Sequence, residues 1–247
     1  MKIKFKHGII YIISLILFSS LGCAFGDGDL LYTVPGDYES VEFWLDAGRG
    51  IEYDPVTYTV YTWEDGSKNK IKLINYFYYN GPVYNSVVKN DNYYNNNDMI
   101  YFAGSNSAMY TPSKISIDPM NYTVFIAAGD LTNSYIFHSL SGSPYMVNNG
   151  ADITFMDCTF AYAISGYNVI EFQVYNSFVT MLINNINMGT FNTAYSSSFG
   201  TGINIGSDLS HSQFCSMYLG DFIICDDPSE DDLKGIRAYL MDKYLNY

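Results

Sequence analysis

Two stretches of this sequence gather side chains of the kind that grip a sugar. Tyr76-Phe77-Tyr78-Tyr79-Asn80 and Asn92-Tyr93-Tyr94-Asn95-Asn96-Asn97-Asp98 set aromatic faces beside amides and a carboxylate. Such faces stack on C–H groups while the polar groups satisfy hydroxyls. The second stretch, with Tyr93, Tyr94, Asn95 and Asn97, is the candidate ligand-binding segment. In the first, alternate tyrosines are expected to face a core, since the chain holds 25 of them. Catalysis has weaker support. Glycoside hydrolysis needs two carboxylates about 5–9 Å apart, which a strand supplies at positions i and i+2. Asp27 and Asp29 lie in a linker, Glu64 and Asp65 are adjacent and so point apart, and Glu230 and Asp232 open a helix. Glu39 and Glu42 are three apart, which suits no strand pair. Gly142-Ser143-Pro144 lacks the elbow of a serine nucleophile, and neither a phosphate loop nor a dinucleotide fingerprint occurs. No catalytic residue is assigned.

The thiols and imidazoles give no metal-site spacing. His7, His138 and His211 are scattered, and no two cysteines have C-x-x-C spacing, which argues against zinc. Cys158, Cys215 and Cys225 follow the N-terminal segment. Either Cys215 and Cys225 bridge, with a loop folding back onto the next strand, or all three are small buried hydrophobes. Asn121-Tyr122-Thr123 matches a glycosylation acceptor but falls at the start of an expected strand.

The elements that must position these groups are mostly strands. Ile170, Phe172 and Val174 alternate with Glu171, Gln173 and Tyr175, the period of a half-buried strand. Tyr122–Ala127, Ile153–Phe160, Phe178–Ile183 and Tyr218–Ile224 are further strands, and Asn90–Asp98 reads as a solvated loop. Many short strands in one domain predict an antiparallel sandwich. A helix is expected at the C-terminus. Ser229 caps it, three acidic residues fill its first turn, and Leu233, Ile236, Tyr239, Leu240 and Tyr244 form its apolar stripe.

Composition narrows the classes of partner. Of 247 residues, 48% are hydrophobic and 15% charged, which excludes general disorder. A net charge of −13 repels nucleic acid and anionic membranes. Lys2, Lys4 and Lys6 precede an apolar run from Gly8 to Phe18, then small residues, which is the pattern of an export signal. Two cleavage readings stand side by side. Gly22 and Ala24 suit an ordinary signal peptidase, whereas Leu21-Gly22-Cys23 is similar to a bacterial lipoprotein signal with Cys23 lipidated, although Ser20 stands where Leu is usual. The expected organisation is an export signal over 1–23, a linker or leading strand over 24–37, and one domain over 38–247.

Three stretches, in order, carry a resemblance. Phe43-Trp44-Leu45-Asp46-Ala47 is followed by Thr62-Trp63-Glu64-Asp65-Gly66-Ser67. Phe178–Asn185 is followed by Gly189. Tyr218-Leu219-Gly220-Asp221-Phe222-Ile223-Ile224 leads into Ser229 through Tyr244. Together they resemble the opening, central hairpin and ending of laminin-G-like domains of the concanavalin A-like lectin/glucanase superfamily. Ile186 follows Asn185 where Gly is usual, Asp221 stands for a common Glu, Cys225 for Tyr, and Pro228 for Leu.

The resemblance implies an all-β, two-sheet jelly roll with the helix packed at one end, and with Trp44 and Trp63 in the core. It also implies a glycan or glycosylated surface as partner and calcium as a candidate cofactor. Among nearby carboxylates, Asp226, Asp227 and Asp232, the last two are expected to serve the helix start and solvent, and no metal ligand is assigned. The superfamily's glucanase motif, E-x-D-x-E, is absent. The expectation is an exported, secreted or surface-attached, non-catalytic carbohydrate-binding or adhesion module, touching a membrane only through a lipid on Cys23. The alternatives are a structural surface or virion component and a glycosidase with a displaced carboxylate pair.

Overall fold

The computed structural model of the chain describes residues 33–75, 87–94, 97–195 and 199–245, with backbone alone for 87–94. These residues fall in one compact unit, Thr33–Tyr247. The N-terminal segment with Cys23, the stretch 76–80 and Asn95 lie outside the described residues. A 3-10 turn over Pro35–Asp37 buries Pro35. The first strands are β1 (Val41–Asp46), β2 (Ile51–Tyr53), β3 (Val60–Glu64), β4 (Lys72–Asn75), β5 (Val87–Tyr94) and β6 (Asn97–Ala103). Then come β7 (Met109–Thr111), β8 (Asn121–Gly129), β9 (Ser134–Ser139), β10 (Tyr145–Asn148), β11 (Ile153–Phe155) and β12 (Cys158–Phe160). The last are β13 (Tyr167–Tyr175), β14 (Phe178–Ile183), β15 (Ile186–Asn192), β16 (Ile203–Ile205) and β17 (Ser216–Asp226), followed by helix α1 (Glu230–Leu245).

The strands form two antiparallel sheets, as the alternating sequence predicts. Sheet A runs β15-β14-β13-β8-β17-β6-β5, with β1 also on β17, and sheet B runs β12-β11-β10-β9-β16-β7-β4-β3-β2. Their facing sides enclose one apolar core in which Phe43, Trp63, Phe102, Tyr122, Phe137, Phe172 and Phe222 have no solvent exposure. A second core lies on the outer face of sheet A. There α1 lays Leu233, Ile236, Leu240 and Tyr244 against Trp44, Phe125, Val169 and Ile223. The helix therefore covers a sheet face and does not sit at one end of the sandwich. Coverage on both sides explains why β8 is buried at every position after Asn121.

Local chemistry sets the boundaries. The Ser229 hydroxyl accepts the Asp232 N–H at 3.1 Å, and the Asp232 carboxylate accepts the Ser229 N–H at 3.4 Å, a reciprocal cap. The turn that lacks the usual Gly after Asn185 is made by Asn184 and Asn185, both with positive φ (49° and 64°), joining β14 to β15. That is a two-residue hairpin turn whose left-handed positions Asn tolerates. Gly220 marks a bulge in β17. A Cβ there would strike the hydroxyls of Tyr244 and Tyr167, the latter at 2.5 Å.

Several expectations need correction. Asn90–Asp98 is not a loop, because β5 and β6 pair there as a hairpin, Tyr94 opposite Asn97. Ile153–Phe160 is two strands, broken at Met156, whose φ is 56°. Cys215 and Cys225 are both free and buried. Cys215 immediately precedes β17 and Cys225 lies near its far end, and ten residues of extended strand span roughly 30 Å, far beyond disulfide reach. Asn121-Tyr122-Thr123 does open a strand as expected, with Asn121 opposite Tyr175 and Tyr122 opposite Val174.

Glu171, expected on a half-buried strand, is only 2% exposed because α1 lies over it. Its carboxylate takes two hydrogen bonds from Arg237, at 2.8 and 2.7 Å. Glu171→Gln leaves the Arg237 charge uncompensated and is expected to cost about 3 kcal/mol. Replacing both residues by Met is expected to come within about 1 kcal/mol of the wild type. Urea unfolding checks the pair, and equal losses from the single and double changes would contradict this reading.

Candidate functional site

Two places concentrate polar groups. The first lies under α1. The Asp221 carboxylate has no solvent exposure. It accepts the Trp44 indole N–H at 2.6 Å, the Lys243 ammonium at 2.8 Å and the Tyr244 hydroxyl. Lys243 also donates to Asp46 at 3.0 Å, and Arg49 donates to Asp46 at 2.9 Å. Burial works against the charge on Lys243, and Asp221 and Asp46 outweigh it, holding the ammonium well above its ordinary value. Every group in this cluster is spent on another, so it is a clamp between helix and sheet.

The second place is the outer face of sheet B, which α1 leaves uncovered. Strand register aligns one row of side chains across seven strands: Glu52, Thr62, Ile74, Tyr110, Asn204, His138 and Tyr145. Asn204 belongs to this face because its neighbours Ile203 and Ile205 both enter the core. A bulge at Ile136 brings Tyr135 to the same side as His138, three residues on. The rings of His138 and Tyr145 stack with centroids 5.3 Å apart and planes at 21°. Tyr135 lies 5.4 Å from His138 and 6.0 Å from Tyr145. The three rings thus make a contiguous aromatic shelf on β9 and β10.

Charge and hydrogen-bond capacity surround the shelf. Asn204 gives its amide N–H to the Asp208 carbonyl at 3.4 Å, while its own Oδ1 is buried without a hydrogen-bond partner. At Asp208, burial acts upward and is outweighed by hydrogen bonds from Ser210, Gln213 and Ser212, which hold the carboxyl at about 2. At Asp157, burial likewise acts upward, and bonds from Thr193 and the Ala194 N–H leave the carboxyl below its usual value. Burial pushes the Tyr145 hydroxyl up, with Tyr135, Tyr195 and Asp157 adding to it. Burial lowers His138 and His211 against the opposing pull of Asp208, so both rings favour the neutral form. A neutral imidazole offers one donor and one acceptor. His138 Nδ1 lies 2.8 Å from the Ser139 carbonyl, which makes it the donor there.

The residues singled out in the sequence do not converge on this shelf. Tyr93 and Tyr94 are in β5, at the far edge of sheet A, and Asn97 opens β6. The Asn97 amide donates to the Lys243 carbonyl, so it closes the end of α1. Asp226, Asp227 and Asp232 each serve the fold. Asp226 accepts the Asp118 N–H, Asp227 the Asn121 amide, and Asp232 the Ser40 hydroxyl at 2.7 Å. Among the described residues no three His, Cys, Asp or Glu side chains are grouped to hold a metal. Among the same residues no helix is long and apolar enough to cross a membrane. Trp44 and Trp63 are buried as expected.

No protein-family model matches the chain, and no curated protein matches it in sequence. Solved structures do share its fold. The botulinum neurotoxin serotype D binding domain is 12% identical with a TM-score of 0.54, over 82% of this chain and 51% of that one. The serotype D ligand-binding domain in complex with N-acetylneuraminic acid is 14% identical with a TM-score of 0.53, over 81% and 51%. A mutant GH54 α-L-arabinofuranosidase, soaked with 4-nitrophenyl α-L-arabinofuranoside, is 12% identical with a TM-score of 0.56, over 84% and 61%. The chain spans about half the length of the toxin domains it matches. At these identities the likeness establishes the two-sheet β fold.

The buried imidazoles give a pH signature. Their folded values lie below the ordinary 6.5, so the unfolded chain takes up more protons as the pH falls through that value. The stability contributed by the neutral rings is present above about pH 6.5 and is lost as the pH drops below it. The melting temperature is expected to fall from about pH 7.5 to about pH 5, and His138→Gln with His211→Gln to flatten that fall. An unchanged slope in the double variant would assign the effect to other groups.

Proposed function

We propose that this chain is an exported, non-catalytic carbohydrate-binding or adhesion module of the concanavalin A-like lectin/glucanase superfamily, with its ligand face on the outer side of sheet B. The observation that carries the reading is the shelf of Tyr135, His138 and Tyr145. The half-buried rings of Tyr135 and Tyr145 flank the buried His138 beside Asp208 and Asp157, on a sheet face that α1 does not cover. Two of the similar structures support it by what they hold. The serotype D domain is in complex with N-acetylneuraminic acid, and the related botulinum neurotoxin DC binding domain is in complex with SialylT. The N-terminal lysines and apolar run support export, with Cys23 as the lipid-bearing residue if the lipoprotein signal is the one used. The carboxylates beside the shelf favour binding over hydrolysis. Asp157 and Asp208 are both held below the ordinary range, whereas a glycosidase keeps one carboxyl protonated as its acid.

A structural surface component is the second reading. It is favoured by the hairpin of β14 and β15, where Phe178, Ile186 and Phe191 are 50%, 66% and 44% exposed. A glycan array separates the two, run on the protein with calcium and again with a chelator. Selective binding is expected, and Tyr145→Ala is expected to weaken it at least about tenfold, the scale of one lost stacking contact, in protein shown to be still folded by its melting transition. A blank array from folded protein that forms stable multimers would move the assignment to the structural reading.

A further inference from the structure

We infer that the sheet B face selects a neutral saccharide and discriminates against sialylated or otherwise anionic glycans. This rests on the glycan-binding reading and adds the class of ligand, which differs from the acidic sugar held by the similar toxin domain. The first observation is the charge around the shelf. Asp208 acts on His138, and Asp157 acts on Tyr145. Neither carboxylate forms an ion pair among the described residues. The two arginines are occupied elsewhere, Arg49 with Asp46 and Arg237 with Glu171. Lys243 is locked between Asp46 and Asp221 under α1. A carboxylate brought onto the shelf would therefore meet like charge and no guanidinium fork to receive it.

The second observation concerns what the face lacks. Asn204 is 1% exposed and its Oδ1 has no hydrogen-bond partner. A buried acceptor left unpaired costs about 1–3 kcal/mol, and a donor removes that cost, directly or through one bridging water. A sugar hydroxyl is such a donor, so the orphaned acceptor supports a saccharide ligand, and the selectivity rests on the charge of Asp157 and Asp208. Asn204 sits in register beside His138, at the edge of the ring shelf. A neutral ring stacked on Tyr145 would place its hydroxyls toward two acceptors, Asp157 and Asp208, with Asn204 reached only through a bridging water.

The test compares matched probes on the intact protein: lactose-terminated glycans and the same glycans capped with sialic acid. The neutral probe is expected to bind at least about tenfold more tightly. Raising the salt to about 1 M, where the screening length falls to about 3 Å, is expected to narrow the gap. Asp157→Asn is expected to narrow it too, and Asn204→Leu to weaken the neutral probe. Equal or tighter binding of the sialylated probe would overturn the selectivity while leaving a glycan-binding module. Binding of neither probe, nor of any other glycan by the folded protein, would overturn the glycan reading itself, and the selectivity with it.

Discussion

A carboxylate that no water reaches is stable only if both oxygens are hydrogen-bonded and its charge is compensated. Asp221 meets that condition with partners from two other elements: the Trp44 indole from β1, and the Lys243 ammonium and Tyr244 hydroxyl from α1. Much of the fold follows from this one demand. The helix has to cross sheet A where its last turn reaches Asp221, and β1 has to pair with β17 so that Trp44 faces outward. Gly220 has to remain a glycine so that Tyr244 and Tyr167 can close over the strand. The Glu171–Arg237 pair fixes the helix at a second point, nearer its middle. The two clamps set both position and rotation of α1, which sliding apolar contacts alone would leave loose.

The clamp also decides which surface is available. Sheet A has its inner face in the main core and its outer face under the helix, so β8 reads as an almost unbroken apolar run and has nothing to offer a ligand. Sheet B has its inner face in the same core and its outer face free of any helix. Glu52, Thr62, Tyr110, Tyr135 and Tyr145, exposed or half-buried on that face, therefore stand where a partner can meet them. The chemistry of the shelf depends on this division, since the same alternation under α1 would have been filled with leucine and valine.

How much of this the sequence discloses varies with the range of the interaction involved. Phe178–Ile183 is a strand as read, because a period-two pattern between two turns is a local signal. The helix start is equally legible in Ser229 and the three acidic residues after it. The burial of Glu171 is not legible in the alternation of its strand, since the helix that buries it comes about sixty residues later. The break at Met156 carries neither Gly nor Pro, so an apolar run conceals a turn. The shelf is hidden by the bulge at Ile136. Simple alternation pairs Tyr135 with Phe137, whereas the extra residue turns Tyr135 toward His138 and sends Phe137 into the core. The aromatic cluster at 92–98 draws attention by composition, yet Asn97 is committed to the end of α1.

The exchange of partners along β17 bears on how the chain reaches its native state. The first half of that strand pairs with β6, and beyond Gly220 the same edge is taken by β1. Trp44 and Asp221, which meet there, are 177 residues apart in sequence. Closing so long a loop has to precede the contacts that reward it, which places this domain among slow, late-committing folders. Until β17 and α1 have emerged, β1 has no strand to join and Asp221 has no cation. That edge of the sandwich closes only when the two ends of the domain meet.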